Sequence, residues 1–201
     1  MTQDLNHSLN EMISKQIIPR DALEKRIVND PLWREGCNWG IPRKGHPEGA
    51  VIYHIAEVLQ NVALLEKELS PELIRSLRLI TLFHDTYKYL VDPMAPKRGD
   101  NHHARIARKC AASFPLEERE LMVIETHDDA YHIWNAVNNG MAAEKVQSRL
   151  DHLFLLNEPH LSLYYYFYCC DNRTGNKDQR PLAWFESMLP ESIEKIDLIV
   201  S

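Results

Sequence analysis

The chain has 201 residues, of which 44% are hydrophobic and 26% are charged. These proportions are close to globular averages, so they exclude a largely disordered protein, and the length suits one ordinary domain. The formal net charge of −6 argues against a broad nucleic-acid surface, but it leaves room for a local basic patch around a small anionic ligand.

No repeat, low-complexity tract or Gly/Ser-rich linker divides the sequence, so we predict one domain overall. Residues 1–45 are expected to form a helical lead-in that packs on the main helical unit of residues 46–201. Trp33 and Trp39 are predicted to pack this lead-in over the bundle or, alternatively, to line the mouth of a pocket. Apolar residues at helical spacing over residues 51–69 then predict one long amphipathic helix.

The next helix has a clear start signal. Ser70 is predicted as its N-cap and Pro71 as its first residue, because a serine hydroxyl caps free backbone N–H groups and proline suits the first turn. We expect this helix to present His84 and Lys88 on one side. A loop rich in Pro, Gly and Asp follows over residues 92–100.

The remaining sequence predicts helices and almost no strand. Further helices are expected over residues 101–114, 116–138, 142–156, 160–174 and 182–199. Only residues 164–168, which are rich in tyrosine, have competing β-propensity, and these tyrosines are expected to serve mostly in packing. The prediction is an all-α, single-domain helical bundle of roughly seven helices.

Ten histidines outnumber four cysteines, so any metal site is expected to use imidazole and carboxylate rather than thiolate ligands. The cysteines lack the paired spacing of a structural zinc site and are expected to be free, mostly buried thiols in a reducing compartment; they are Cys37, Cys110, Cys169 and Cys170. No secretory pattern and no apolar run of about 18 residues is present, so we expect a cytoplasmic protein without a membrane span.

Three histidines fall on the apolar stripes of their predicted helices: His54, His84 and His127. Asp171 similarly ends a run of apolar and aromatic residues, and Asp85 directly follows His84. A buried carboxylate is costly unless it is paired or bound to metal. Several imidazoles and carboxylates that point inward would repel one another without a cation, so a metal site is favoured over a hydrogen-bonded core. The other histidines are expected at surface, turn or satisfied core positions: His7, His46, His132, His152 and His160.

The order His54, His84-Asp85, Asp171 resembles the ligand signature of the HD superfamily of metal-dependent phosphohydrolases. The segment LITLFHDTYK (residues 79–88) is similar to the second motif of that family. The text GHPEGAVIYHI resembles the corresponding segment of the HD module in bacterial tRNA nucleotidyltransferases, although no tRNA-tailing activity is implied. The resemblance implies that residues 46–201 form a catalytic helical domain of the HD type.

The resemblance implies that His54, His84, Asp85 and Asp171 are metal ligands. Asp85 corresponds to the central carboxylate, which bridges two metals in the members that hold a pair. The sequence departs from the family pattern after Asp171, where Asn172 stands in place of a frequent arginine.

His103 and His127 fall where two-metal members of the superfamily have extra histidines. Helical spacing favours His103, while His102 stays open as the alternative ligand. One or two divalent ions are expected, and imidazole ligands suit Mn, Fe, Co, Ni or Zn. Asp128 is a candidate catalytic residue that orients a ligand or accepts a proton; the alternative is a solvated helix residue.

An anionic substrate needs cationic partners, and several basic residues follow the ligand motifs. Lys88 is expected to act in catalysis by pointing at a bound phosphate. The full set of candidate substrate-binding residues is Lys88, Lys97, Arg98, Arg105, Arg108, Lys177 and Arg180. Each is alternatively a solvated surface charge, but their concentration beside ligands suggests a phosphate-facing rim.

The sequence therefore predicts a metal-dependent phosphohydrolase that cleaves a phosphomonoester or phosphodiester of a nucleotide or other small phosphorylated metabolite. The expected partner is this small substrate, with neither a broad nucleic-acid surface nor a membrane. Two alternatives stay open. One is a di-iron oxygenase on the same scaffold, and the other is a non-catalytic nucleotide-binding module.

Overall fold

Helices form the regular structure in the computed structural model, which describes residues 10–44 and 47–196. Across these residues there is no β-strand, and the predicted all-α class is confirmed. Residues 164–168, where β-propensity competes, are helical. His7 and His46 lie outside the described residues. No helix in the described ranges has both the length and the apolar surface needed to cross a bilayer.

Residues 10–16 are helical, and ten further α-helices follow them in the described part of the chain. They are α1 (Ala22–Val28), α2 (Pro31–Cys37), α3 (Val51–Leu64), α4 (Pro71–Phe83), α5 (His103–Ala111), α6 (Glu118–Thr126), α7 (Asp129–Asn138), α8 (Ala143–Asn157), α9 (Leu161–Asn172) and α10 (Arg180–Met188). Single 3₁₀ turns occupy Leu65–Lys67, Lys88–Leu90 and Gly99–Asn101.

The predicted start of α4 is confirmed. The Ser70 hydroxyl accepts a hydrogen bond from the Leu73 backbone N–H at 3.3 Å, and Pro71 is the first helical residue. Asp21 and Asp30 cap α1 and α2 in the same way, because their carboxylates accept free N–H groups of the first turn.

Helix α9 lies at the centre of the bundle and packs against both α3 and α4. Its side chains are buried around most of its circumference, including Tyr164, Tyr165, Tyr166 and Tyr168, so the tyrosines serve in packing as predicted. The four cysteines are free thiols, and all but Cys110 are buried.

The lead-in helices share this core. The Trp33 indole is fully buried and its Nε1 donates to the Leu82 carbonyl at 2.7 Å. Arg78 of α4 forms a buried two-pronged ion pair with Glu24 of α1, with both N–O distances at 2.7 Å. Helix α2 therefore packs directly against the end of α4, just before His84.

A glycine permits this close approach. A Cβ atom built on Gly36 of α2 would lie 1.7 Å from the Thr86 carbonyl oxygen, so only glycine fits at this position. Because Thr86 comes directly after His84-Asp85, the contact fixes the segment that carries this dipeptide.

Two predicted helices end earlier than expected, and each early end changes where a His-Asp dipeptide lies. Helix α4 stops at Phe83, so the prediction that it continues through Lys88 is wrong. The last backbone carbonyls of α4 have side chains as their hydrogen-bond partners. His84 Nδ1 lies 3.0 Å from the Thr81 oxygen, and the Thr86 hydroxyl donates to the Leu82 oxygen at 2.6 Å.

The predicted helix over residues 116–138 is wrong as a single element, because it divides into α6 and α7 at His127-Asp128. Asp128 has non-helical dihedral angles, and the Tyr164 hydroxyl accepts the Ala130 N–H at 3.1 Å inside the core. Tyr164 thus supplies the partner that an uninterrupted helix would have supplied from its own backbone.

Other predicted boundaries need smaller corrections. The helix over residues 51–69 tightens into a 3₁₀ turn after Leu64, and the last helix ends at Met188 rather than continuing. Residues 197–199 of that prediction lie outside the described part of the chain.

Candidate metal centre

His54, His84 and Asp171 converge from α3, the end of α4 and the end of α9, and together they are called the inner triad. His54 Nε2 lies 3.1 Å from His84 Nε2 and 2.9 Å from Asp171 Oδ1. His84 Nε2 lies 3.7 Å from the same oxygen. Three potential ligand atoms therefore point at one small volume, within 4.8 Å of one another.

Asp85, His103 and His127 form a second group, the middle triad. His103 Nε2 lies 3.3 Å from His127 Nε2, and Asp85 Oδ1 lies 3.8 Å and 3.5 Å from these two nitrogens. His103 is the first residue of α5, which brings its ring into this triad, whereas the ring of the preceding His102 lies outside it.

Asp85 connects the two triads. Its Oδ2 faces the inner triad, 3.8 Å from His54 Nε2 and 3.7 Å from His84 Nε2, while its Oδ1 faces the middle triad. Asp85 is 4% exposed, and Oδ1 has no hydrogen-bond partner among the described residues. A buried carboxylate oxygen without a hydrogen bond is costly unless a cation lies beside it, and here that cation is either a bound metal ion or the protonated His127 ring, 3.5 Å away.

The separations within the triads suit shared metal ligands. Ligand atoms about 2.1 Å from one ion are separated from each other by about 3.0–3.4 Å, depending on whether the geometry is octahedral or tetrahedral. The shorter distances in both triads, from 2.9 to 3.5 Å, fall near this range. The donors are imidazole nitrogens and carboxylate oxygens, so the residues present fit two divalent transition-metal ions.

Backbone carbonyls fix the orientation of two ligand rings. His84 Nδ1 lies 3.0 Å from the Thr81 oxygen and His127 Nδ1 lies 2.9 Å from the Ile124 oxygen. Donation through Nδ1 directs the Nε2 atom of each ring into its triad. The Nδ1 atom of His54 faces Glu48 Oε1 at 3.7 Å and the Thr174 hydroxyl at 3.4 Å.

Two ligand histidines are held neutral. Burial and the nearby Lys177 ammonium lower the pKa of His54 to about 4. Burial, together with His127, lowers the pKa of His103 to about 3. Both rings are therefore unprotonated at pH 7 and have lone pairs for a metal ion.

Burial opposes ionisation of both carboxylates, but neighbouring cations outweigh it. The Lys88 ammonium holds the pKa of Asp85 well below its usual range, and the Lys177 ammonium does the same for Asp171. Both carboxylates are thus ionised at neutral pH, as metal binding requires.

His127 differs from the other ligand histidines. Although burial lowers its pKa, the carboxylates of Asp128 and Asp85 raise it to about 9. The proton on His127 offsets the two aspartates in the metal-free chain. Coordination through His127 Nε2 must therefore release this proton.

Each ligand carboxylate has its own lysine. Lys88 Nζ lies 2.5 Å from Asp85 Oδ2, and Lys177 Nζ lies 2.9 Å from Asp171 Oδ1. Lys177 also donates to the Asp171 backbone carbonyl at 2.9 Å. Of the seven predicted substrate-binding cations, the structure brings these two into contact with the triads.

The other predicted cations lie elsewhere. Arg105 and Arg108 pair with Glu125 at 3.4 and 3.1 Å, and both line a separate open groove of about 950 Å³. Arg180 pairs with Asp178 and lies over the Trp134 ring. Lys97 and Arg98 are exposed in the loop before α5.

A narrow cavity opens onto the inner triad and adds Arg43, which the sequence did not single out, to the residues around the site. Its lining includes Trp39, Arg43, Glu48, His54, Asp85 and Lys88. Trp39 therefore follows the second of its two predicted roles. Arg43 was missed, and the only signal for it is its position shortly before the first ligand motif.

Asp128 and His132 also contact this centre. Asp128 Oδ2 lies 3.5 Å from His103 Nε2 of the middle triad and 3.1 Å from His132 Nε2. Asp128 is mostly buried, so it is not the solvated helix residue of the alternative interpretation. His132 is exposed, as predicted, but its contact with Asp128 was missed; the four-residue spacing of the two was the available signal.

Comparison of the chain with models of known protein families, with curated proteins and with solved structures finds no match. The interpretation of the centre therefore depends on the geometry and chemistry of its own residues. These are two histidine-carboxylate triads, the Asp85 carboxylate between them, and a lysine beside each of the Asp85 and Asp171 carboxylates.

Proposed function

We propose that the chain is a metal-dependent phosphohydrolase with an HD-type helical domain. In this proposal it cleaves a phosphomonoester or phosphodiester of a nucleotide or another small phosphorylated metabolite. One observation carries the proposal: the two oxygens of the buried Asp85 carboxylate face two different triads. A single carboxylate placed in this way can bridge two cations.

The ligand assignment follows from these contacts. The inner triad with Asp85 Oδ2 would hold one divalent ion, and His103, His127 and Asp85 Oδ1 would hold the other. Imidazole and carboxylate ligands suit Mn, Fe, Co, Ni or Zn. When bound, such a pair supplies Lewis acidity that polarises a phosphoryl oxygen and lowers the pKa of a coordinated water.

The lysines attract the anionic substrate and orient it. Lys88 is half-buried and lines the narrow cavity beside Asp85, which has a volume of only about 10 Å³. A phosphoryl group must therefore widen this cavity before the Lys88 ammonium can donate to one of its oxygens. Lys177 occupies the equivalent position beside Asp171. Partly buried ammonium groups act in a low dielectric, where their attraction for phosphate is stronger than in water.

Asp128 positions the middle triad rather than the substrate. Its carboxylate lies beside His103 and raises the pKa of His127, so it orients and polarises two proposed ligands. Residues that support ligands in this way typically change metal affinity by about 10–100-fold when they are replaced.

The proposal is tested by hydrolysis of a panel of phosphomonoesters and phosphodiesters, with Mn²⁺, Co²⁺ or Fe²⁺ added to the metal-free chain. Inorganic phosphate is measured for the monoesters, and the released alcohol and phosphomonoester are measured for the diesters. We expect Lys88→Met to keep its metal and to lower kcat/KM by about 100-fold, since one lost donor to developing charge costs about this much. Lys145→Met, an exposed lysine on α8, is the matched control and should leave kcat/KM unchanged.

Binding of two metal ions without hydrolysis of any phosphomonoester or phosphodiester in the panel would contradict the proposal. Iron-dependent consumption of oxygen in that protein would instead support the di-iron oxygenase alternative. Oxygen uptake is therefore recorded in the same samples.

A further inference from the structure

A third group of potential ligands lies beside the middle triad, formed by His102, Asp128 and His132 and called the outer triad. His102 directly precedes α5, Asp128 directly precedes α7, and His132 follows one turn into α7. Asp128 Oδ2 lies 3.1 Å from His132 Nε2 and 3.7 Å from His102 Nε2. The three ligand atoms all lie within 4.8 Å of one another.

Asp128 stands between two triads, as Asp85 does. Its Oδ2 contacts His103 of the middle triad at 3.5 Å as well as the two outer histidines. Its Oδ1 is buried and has no hydrogen-bond partner among the described residues. Asp85 Oδ1 is likewise buried without a hydrogen bond. Each of the two aspartates that link neighbouring triads therefore has one buried oxygen without a hydrogen-bond partner among the described residues.

Hydrogen bonding alone does not account for the outer triad. The contact between Asp128 and His132 is a normal hydrogen bond, but 3.7 Å between Asp128 and His102 is too long for one. The same distance is short enough for two ligands of one ion after a small rotation of the His102 side chain. Two imidazoles and one carboxylate also form a common ligand set, which leaves further positions for water or a substrate oxygen.

We propose that His102, Asp128 and His132 form a third divalent-cation site, which takes a first-row transition-metal ion such as Zn²⁺. The outer triad binds its ion more weakly than the inner and middle triads bind theirs, because its ligands are more exposed. The His132 side chain is 45% exposed, against 1% for His84 and 4% for His127. The ion of the outer triad therefore exchanges with ions in solution, while the ions of the inner and middle triads stay bound.

The test counts Zn²⁺ bound to the full-length chain by equilibrium dialysis and elemental analysis over a range of free Zn²⁺. We expect the wild-type chain to bind one more equivalent than His132→Ala and one more than His102→Ala, with the extra equivalent at least tenfold weaker than the others. His152→Ala removes an exposed histidine of α8 and is the matched control; it should keep the wild-type count.

Two independent variants keep the test decisive, because His102 and His132 belong to different elements and both are at least partly exposed. Equal Zn²⁺ counts for the wild-type chain and either variant would overturn the third site. Loss of the same equivalent in His152→Ala would overturn it as well, since that result would indicate nonspecific binding to surface histidines.

The test of the third site can succeed or fail independently of the proposed function. The third site is read from the difference between the wild-type chain and His132→Ala, whereas the bridged pair is read from the effect of Asp85→Asn. A chain that loses the outer equivalent in His132→Ala but is unaffected by Asp85→Asn would contradict the bridged pair and retain the third site.

Discussion

The dipeptides His84-Asp85 and His127-Asp128 occupy matching local positions in two different parts of the bundle. Each directly follows the last residue of a helix, α4 or α6. In each, the histidine ring contacts the backbone carbonyl three residues earlier through Nδ1 and directs Nε2 into a triad. Each aspartate then lies between two triads.

The two dipeptides differ in what surrounds their aspartates. Asp85 is almost completely buried, with Lys88 against one oxygen. Asp128 is more accessible, and an exposed histidine takes the place of the lysine. One local arrangement can therefore give a deeply held bridging ligand in one place and a ligand of an exchangeable site in the other.

The largest expected effect comes from Asp85→Asn, which keeps the shape of the side chain and removes its charge. We expect metal affinity at the inner and middle positions to fall by more than about 100-fold, because loss of mere supporting residues already costs 10–100-fold. Equilibrium dialysis with Zn²⁺ measures the change. Asp151→Asn, an exposed carboxylate on α8, should bind as the wild-type chain does.

The same change in the second dipeptide should have a smaller effect. Asp128→Asn is expected to weaken metal binding at the middle triad by about 10–100-fold and to leave the inner triad intact, because Asp128 contacts His103 of the middle triad, whereas Asp171 is the carboxylate that contacts both histidines of the inner triad. Competition with a chelator of known affinity resolves the two positions. If Asp85→Asn and Asp128→Asn lowered metal affinity equally at both triads, the two dipeptides would not differ in the way proposed.

The smallest expected effect is on the free energy of unfolding. It concerns the break between α6 and α7, which positions His127-Asp128 beside the middle triad. Tyr164→Phe leaves the buried Ala130 N–H without its hydroxyl partner, so the free energy of unfolding should fall by about 1–3 kcal/mol. Urea unfolding measures the change. Tyr131→Phe, at an exposed position of α7, should unfold within about 0.5 kcal/mol of the wild-type chain.

The sequence was sufficient to predict the helical class and to select the residues that form the inner and middle triads. Apolar stripes placed His54, His84 and His127 toward the core. The resemblance to the HD superfamily supplied Asp85, Asp171 and His103, with His102 left open as the alternative to His103. The predicted start of α4 at Ser70 and Pro71 was also local information, because a cap and the residues it serves lie within one turn.

The missed features depend on contacts between distant residues. The break at His127-Asp128 uses the Tyr164 hydroxyl from α9, which no pattern within residues 116–138 reveals. Arg105 and Arg108 follow a ligand motif, but Glu125 of α6 engages both of them. In the outer triad, Asp128 and His132 are only four residues apart, but His102 precedes α5 and meets them only in the folded chain.

Bridging of two cations by the buried Asp85 carboxylate is tested by the metal content of the chain purified without added metal. Elemental analysis should find about two equivalents of first-row transition metal per wild-type chain, and close to none in Asp85→Asn. Less than about half an equivalent of every transition metal in the wild-type chain, or an unchanged content in Asp85→Asn, would contradict the account.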